Sequence, residues 1–276
     1  MVFRSVENFG FCSYQFRIGL AVKFQSFRGL DIVSPRVKAS EYPQWNVAGH
    51  EYWYQFLDTI ALPLEDHPAV IEHAKARGLD FLTTPTSPYI VGQLQQMKGI
   101  TAYKIASMDL TNLPLLQAVA ATGKPVILST GMGTVEEIRR AADLFRDSKL
   151  ALLHCVSDYP LAPEDAGLRN LRLLRRDFPR FRIGFSDHSL GWELPIAALC
   201  LGAEIIEKHI TLDRNDPAPA EHHFAMEPDE FADMVRWVRN LEKDLAGKGW
   251  FRSQTERKNR DKYRRSYHYA HDMAAG

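Results

Sequence analysis

Two histidines stand just past strand-like runs. Arg182-Ile183-Gly184-Phe185-Ser186-Asp187 leads into His188, and Glu204-Ile205-Ile206-Glu207-Lys208 leads into His209. A helix-like stretch, Trp192 to Leu201, separates the runs. In a parallel α/β architecture both imidazoles project from one rim of the sheet, where such folds keep their chemistry. Neutral imidazole suits divalent ions, so two on neighbouring strand ends make half of a metal site. One histidine after a strand is more often a packed or capping residue. Two in matched positions, with Ser186 beside one of them, favour the metal site.

The elements that must hold these residues repeat one beat from residue 80 onward: a short apolar run, a polar Ser, Thr, Lys or His, a loop, then an amphipathic helix. Strands are expected at Asp80–Thr83, Ala102–Ile105, Pro125–Ser129, Leu150–Cys155, Arg182–Phe185 and Ile205–Lys208, with an earlier one at Leu20–Phe24. Their recurrence, about every 20 to 30 residues after the first, is that of βα units feeding a parallel sheet. Regular units with no break in composition favour a TIM-type (β/α)8 barrel over an open sheet. Thr134-Val135-Glu136-Glu137 is a capping box opening a helix to about Phe145. Pro114 near the start and Gly123 past the end frame a helix over Leu113–Ala121. Pro228 precedes a long helix with Phe231, Met234, Val235, Val238, Leu241 and Leu245 on one face, closed by Gly247 and Gly249. The aromatic-rich stretch from Ser26 to Leu64 is expected to cap the rim or form an interface.

Composition bounds the rest. The 276 residues suit one large α/β domain, 45% apolar content is ample for a core, and 25% charged is ordinary. Lys plus Arg equals Asp plus Glu, 34 each, so nothing points to nucleic acid or an anionic membrane surface. Three cysteines (Cys12, Cys155, Cys200) make no disulfide framework. Cys155 and Cys200 lie in apolar runs and are expected to be buried, which fits a reducing cytoplasm. No signal peptide and no run of about 18 apolar residues is present. The basic stretch Arg252–Arg265 is expected to be a solvated linker.

The strand count falls one short. Residues 1–18 cannot supply a full βα unit, which takes upwards of about 20 residues, so the barrel is expected to be incomplete, its first unit missing or replaced. The organisation expected is an unmatched segment 1–18, a (β/α) barrel over 19–250, and a basic linker with the truncated start of a further domain over 251–276.

Seven ordered motifs then become recognisable. They are Ala21-Val22-Lys23-Phe24-Gln25, Phe81-Leu82-Thr83-Thr84-Pro85, Tyr103-Lys104-Ile105-Ala106-Ser107-Met108-Asp109-Leu110-Thr111-Asn112, Leu128-Ser129-Thr130-Gly131-Met132, Leu152-Leu153-His154-Cys155, Ser186-Asp187-His188 and Glu207-Lys208-His209. The set resembles the sialic acid synthase family, which condenses phosphoenolpyruvate (PEP) with an N-acylated amino sugar. The resemblance spans about Gly19 to Gly249, with a trace at Arg264-Arg265-Ser266.

That resemblance implies roles. Lys23, Thr84, Lys104, Ser107, Ser129, Ser157 and Ser186 match positions that bind PEP. A Ser or Thr after a strand caps the next helix about as often, but a lysine ending a buried run is harder to dismiss. His188 and His209 match the catalytic metal ligands. The implied ion is manganese, with magnesium or cobalt as alternatives, polarising the sugar aldehyde while C3 of PEP attacks it. Gln25, Asp109, Tyr159 and, after a one-residue insertion, Glu221 fall where the family contacts the sugar. His222 and His223 are expected to lie in a mobile loop rather than bind metal. The implied partners are PEP and an amino-sugar aldehyde, with no nucleic acid or membrane; the full-length family implies a homodimer.

Departures from the family pattern bear on activity. The Ala-Glu-Ile-Gly-like motif of the family's first strand has no counterpart, and Glu7 has the wrong neighbours. The C-terminal antifreeze-like domain is not matched, and Met108 replaces a usual glycine, which is expected to crowd the sugar pocket. Three functions follow: a synthase of N-acetylneuraminate type from N-acetylmannosamine or a relative; the same PEP chemistry on a legionaminic or pseudaminic acid precursor; or a catalytically silent barrel, or one that needs a partner segment.

Overall fold

The computed structural model describes residues 2–3, 20–42, 49–145, 149–216, 221–246 and 251–275. The expected strands form, each within a residue or two of its predicted ends. They are β2 (Leu20–Ser26), β3 (Asp80–Pro85), β4 (Ile100–Ile105), β5 (Val126–Ser129), β6 (Leu150–Cys155), β7 (Arg182–Asp187) and β8 (Ile206–Lys208). All pair in parallel with their sequence neighbours. The barrel closes through β1 (Val2–Phe3), two residues that run antiparallel to both β2 and β8. The fold is thus an α/β barrel of TIM type with an irregular closure where the first strand belongs.

Ten helices occur among the described residues: α1 (Gly29–Ile32), α2 (Trp53–Ile60), α3 (His67–Ala76), α4 (Pro88–Leu94), α5 (Leu113–Ala120), α6 (Val135–Asp143), α7 (Asn170–Asp177), α8 (Glu193–Cys200), α9 (Pro228–Leu245) and α10 (Gln254–Tyr263). The capping box at α6 is made: Thr134 Oγ1 accepts from Glu137 N at 3.3 Å, and Glu137 Oε2 accepts from Thr134 N at 2.8 Å. Helices and strands meet through the outward residues of each strand, such as Phe81, Tyr103, Leu128, Leu152 and Phe185, in one large apolar core. Side chains alternate across a strand. The opposite face therefore fills the barrel, and there Ala21, Leu82, Ala102, Ile127, Ala151, Leu153 and Ile205 form a second, smaller core. Gly184 belongs to this layer because a Cβ would collide with Ile205 O and the Leu153 side chain.

Several expectations are corrected. Cys200 is exposed, because it ends α8 on the outer surface; Cys155 is buried, and Cys12 lies outside the described residues. Leu245 is exposed although it continues the apolar stripe of α9, whose buried positions end at Val238. Gly247 and Gly249 lie outside the described residues. The basic stretch is solvated but helical: α10 is capped by Ser253, whose Oγ accepts from Glu256 N at 3.0 Å, and buries nothing. The chain divides into two compact units, Met1–Arg239 and Asn240–Gly276. The aromatic-rich segment spends Trp53 and Phe56, with Leu57, on a small core of its own, where Tyr42 stacks on Trp53 at 4.3 Å. His222 and His223 sit in a 3-10 turn, Glu221–Phe224, with His222 Nδ1 2.6 Å from Thr211 Oγ1. Residues 217–220 before it lie outside the described residues.

Candidate active site

Alternation converts the apolar layer inside the barrel into a polar one above it. Two residues on from Ala21, Leu82, Ala102, Ile127, Leu153, Gly184 and Ile205 stand Lys23, Thr84, Lys104, Ser129, Cys155, Ser186 and Glu207. Every one lies on the interior face at the C-terminal half of its strand. This is the layer that the sequence marked through its strand-ending lysines and hydroxyls.

Charges inside a barrel must be paired or bound, because burial without a partner is costly. Lys104 is nearly fully buried; its Nζ donates to Ser129 Oγ at 2.6 Å and Ile105 O at 2.9 Å, and lies 3.5 Å from Glu207 Oε2. Glu207 Oε1 takes Lys23 Nζ at 2.8 Å. Burial opposes the Glu207 charge, but Lys104 and Lys23 hold its carboxyl well below the usual range. Burial lowers Lys104, against the pull of Glu207. Two lysines share one carboxylate, so the layer keeps a surplus positive charge. Thr84 Oγ1, also buried, has no hydrogen-bond partner among the described residues. A surplus cation and an orphaned hydroxyl on the same interior layer can together hold an anion.

The loop after β5 adds a cradle. Gly131 N donates to Ser107 Oγ at 3.0 Å, and a Cβ on Gly131 would lie 2.8 Å from Ser107 Oγ and 2.9 Å from Ser157 Oγ. The next residue, Met132, holds a left-handed φ of 61°, which turns the backbone sharply at this point. Ser107 and Ser157 thus converge on one place, from the loops after β4 and β6.

The two histidines meet as expected, with ring centroids 5.3 Å apart. His188 Nδ1 donates to Val156 O at 2.8 Å, which leaves Nε2 with its lone pair. Burial, then the neighbouring His209, pushes His188 down to about 4, so it is neutral near pH 7. His209 Nδ1 lies 2.8 Å from Glu221 Oε2. Burial would raise the Glu221 carboxyl, but the hydrogen bond from His209 lowers it. Such partnering of the second ring nitrogen is how metal-binding imidazoles are oriented. Among the described residues no group of three or more His, Cys, Asp or Glu gathers around one point. The donors that the described residues bring together are two imidazoles, which can supply two nitrogen ligands to a divalent ion.

The rim residues are less tightly gathered. Tyr159 packs against His188 with tilted rings, centroids 4.1 Å apart, and approaches Phe224 at 5.4 Å, with burial pushing its phenol up. Asp109 is buried after β4; Asn112 donates to its Oδ1 at 2.9 Å while Oδ2 has no partner among the described residues. Burial raises this carboxyl, partly offset by Asn112. Gln25 is exposed at the end of β2, and Met108 is exposed beside Asp109. Glu207, Gly131 and Phe224 were not foreseen as site residues. Glu207 carries the only available signal, since it shares the interior parity of His209.

Lysines, hydroxyls and two imidazoles gather at the C-terminal mouth of a parallel barrel, the face at which such barrels carry their chemistry. Comparison with known proteins narrows the class. The family model "NeuB family" matches residues 19–249, and the chain belongs to that family. An uncharacterized protein of Methanocaldococcus jannaschii is 40% identical over 82% of this chain and 63% of its own. The chain thus spans less than two thirds of that relative. An N,N'-diacetyllegionaminic acid synthase of Campylobacter jejuni is 34% identical over 92% of this chain and 77% of its own length. Among solved structures, a sialic acid synthetase from Leptospira borgpetersenii superposes with a TM-score of 0.77 at 31% identity, covering 89% of this chain and 82% of the other. No helix among the described residues is long and apolar enough to cross a membrane.

Proposed function

We propose that this chain condenses phosphoenolpyruvate with an N-acylated amino-sugar aldehyde, forming a nonulosonic acid and releasing phosphate. The observation that carries this reading is the interior layer of Lys23, Lys104, Thr84, Ser129 and Ser186 below the Ser107–Gly131–Ser157 cradle. A trianion carrying both a carboxylate and a phosphate needs donors converging from several strands, and these do. Lys104 and Lys23 neutralise the anion, and the hydroxyls orient it so that C3 faces the histidines. Gln25, Asp109, Tyr159 and Glu221 line the rim where the sugar enters.

His188 and His209 would hold a divalent ion, manganese before magnesium or cobalt, which supplies Lewis-acid polarisation of the aldehyde carbonyl when bound. In the reaction C3 of PEP forms a bond to the aldehyde carbon, whose oxygen takes a proton. Water then adds to the cationic C2 and loses a proton. The resulting C2 hydroxyl gives up its remaining proton to the phosphate as the bond from C2 to the phosphate oxygen breaks, leaving a ketone at C2 and free phosphate. Glu207 holds both lysines extended toward that centre.

N-acetylmannosamine is the first acceptor to test, and N-acylated precursors of legionaminic and pseudaminic acid are the second group, favoured by the legionaminic acid synthase relative. The experiment is phosphate release from PEP with each sugar, with and without manganese, alongside calorimetry of PEP binding. Acceptor-dependent phosphate release is expected. A folded protein that fails to bind PEP overturns the reading; one that binds PEP but turns over no acceptor supports the silent barrel instead.

A further inference from the structure

We propose that Asp187 and Lys208 form a positioning clasp that sets the separation of His188 and His209. The proposal rests on the reading that these two histidines share one ion. In the β7–β8 ladder Ser186 stands opposite Glu207 and Asp187 opposite Lys208, and there the ladder ends. The next residue on each strand is a histidine. No backbone rung between these two strands lies beyond Asp187 and Lys208, so the last cross-strand link before the imidazoles is made by side chains. Lys208 Nζ lies 2.6 Å from Asp187 Oδ2, and both side chains are almost wholly buried. By parity they face away from the barrel interior, and so away from the anion layer.

The clasp reaches past the ladder. Asp187 Oδ1 accepts from Ser189 N at 3.1 Å, Asp187 Oδ2 accepts from Ser189 Oγ at 3.0 Å, and Lys208 Nζ donates to Ser189 O. His188 is thereby fixed from both sides, between Asp187 and a Ser189 tied back to β8. His209 follows the lysine that makes the tie, and its own carbonyl accepts from Met226 N at 3.0 Å. A buried ion pair is weak support for stability, since apolar residues of like volume often serve as well. What apolar residues cannot supply is a directional link that fixes two strand ends in one register.

The test uses Lys208→Met and the double variant Asp187→Leu/Lys208→Met, which leaves no lone buried charge and guards against a variant that fails to fold. Manganese and PEP affinities are measured by calorimetry in the full chain, with histidine-ring nitrogen resonances recorded by NMR. Loss of partners behind metal ligands commonly costs about tenfold to a hundredfold in metal affinity. That loss is expected in the folded double variant, with PEP affinity within about twofold of wild type, a split that general loosening of the barrel does not produce. Wild-type manganese affinity in that variant overturns the clasp. His209→Ala is the separate control on the metal reading. If manganese binding survives it, that reading fails, and the resonances decide the clasp instead: shifted His188 and His209 rings support it, and unchanged rings overturn it.

Discussion

Replacing Gly131 by alanine adds one methyl group at the point where the proposed anion cradle converges. The new carbon would lie 2.8 Å from Ser107 Oγ, 2.9 Å from Ser157 Oγ and 3.1 Å from Cys155 O. Comfortable contacts are about 3.5 Å, so each hydroxyl must withdraw by roughly half an ångström or rotate away. Cys155 O belongs to the β6 backbone and cannot yield, which leaves the serines to move. Gly131 is not among the glycines with left-handed φ, so alanine meets no backbone strain there. The expected damage is therefore local: the 3.0 Å bond from Gly131 N to Ser107 Oγ is lost and two donors are displaced. A hydrogen bond to a charged group contributes about 1.5–3 kcal/mol, so losing one weakens PEP binding by about tenfold to a hundredfold. Calorimetry of Gly131→Ala with PEP, beside a melting curve and a manganese titration, reads the effect. Manganese affinity should stay, because the substitution touches neither histidine. A normally folded variant that binds PEP within about twofold of wild type would refute the cradle.

Other perturbations separate the parts of the site. Lys104→Ala removes a buried cation held by Ser129 and Ile105 and should weaken PEP binding by about tenfold to a hundredfold; unchanged affinity by calorimetry removes Lys104 from the anion site. His209→Ala should abolish manganese binding while PEP still binds, and equal manganese affinity in both proteins rules His209 out as a ligand. Glu207→Gln leaves Lys23 and Lys104 facing each other and should lower stability by about 3–5 kcal/mol. Inorganic phosphate should then raise the melting temperature more in this variant than in wild type, and an equal rise argues against the lysines as the anion's partners. In chelated protein, His188 titrates near 4 when folded against 6.5 as a free side chain. Between those values the unfolded chain binds a proton that the folded one does not, so stability should fall as pH drops through that window, by up to about 3 kcal/mol. Urea midpoints from pH 7 to 4 should slope less steeply in His188→Asn; equal slopes refute the assignment.

Periodicity in the sequence was enough to place the strands and to choose the face on which each chemical residue lies. Lys23, Thr84, Lys104, Ser129, Ser186 and His209 all fall at positions where alternation points inward, and local sequence controls alternation. The matched placement of His188 and His209 was legible for the same reason, as was the capping box of α6. Which side chains meet is a different matter, because closure of the barrel decides it. Glu207 meets Lys23 where the barrel closes, with the two-residue antiparallel β1 between β8 and β2, a contact between residues far apart in the chain. The Gly131 cradle needs loops from three successive strands, and Tyr159 reaches His188 and Phe224 across the rim. Asp187 and Lys208 read locally as ordinary charges beside two histidines. Only the end of the ladder shows that they are buried together. Cys200 and Leu245 mark the opposite limit: one ends an apolar run and the other continues an apolar helix stripe, yet each lies on the surface, since the pattern near a helix terminus outlasts the face it packs against.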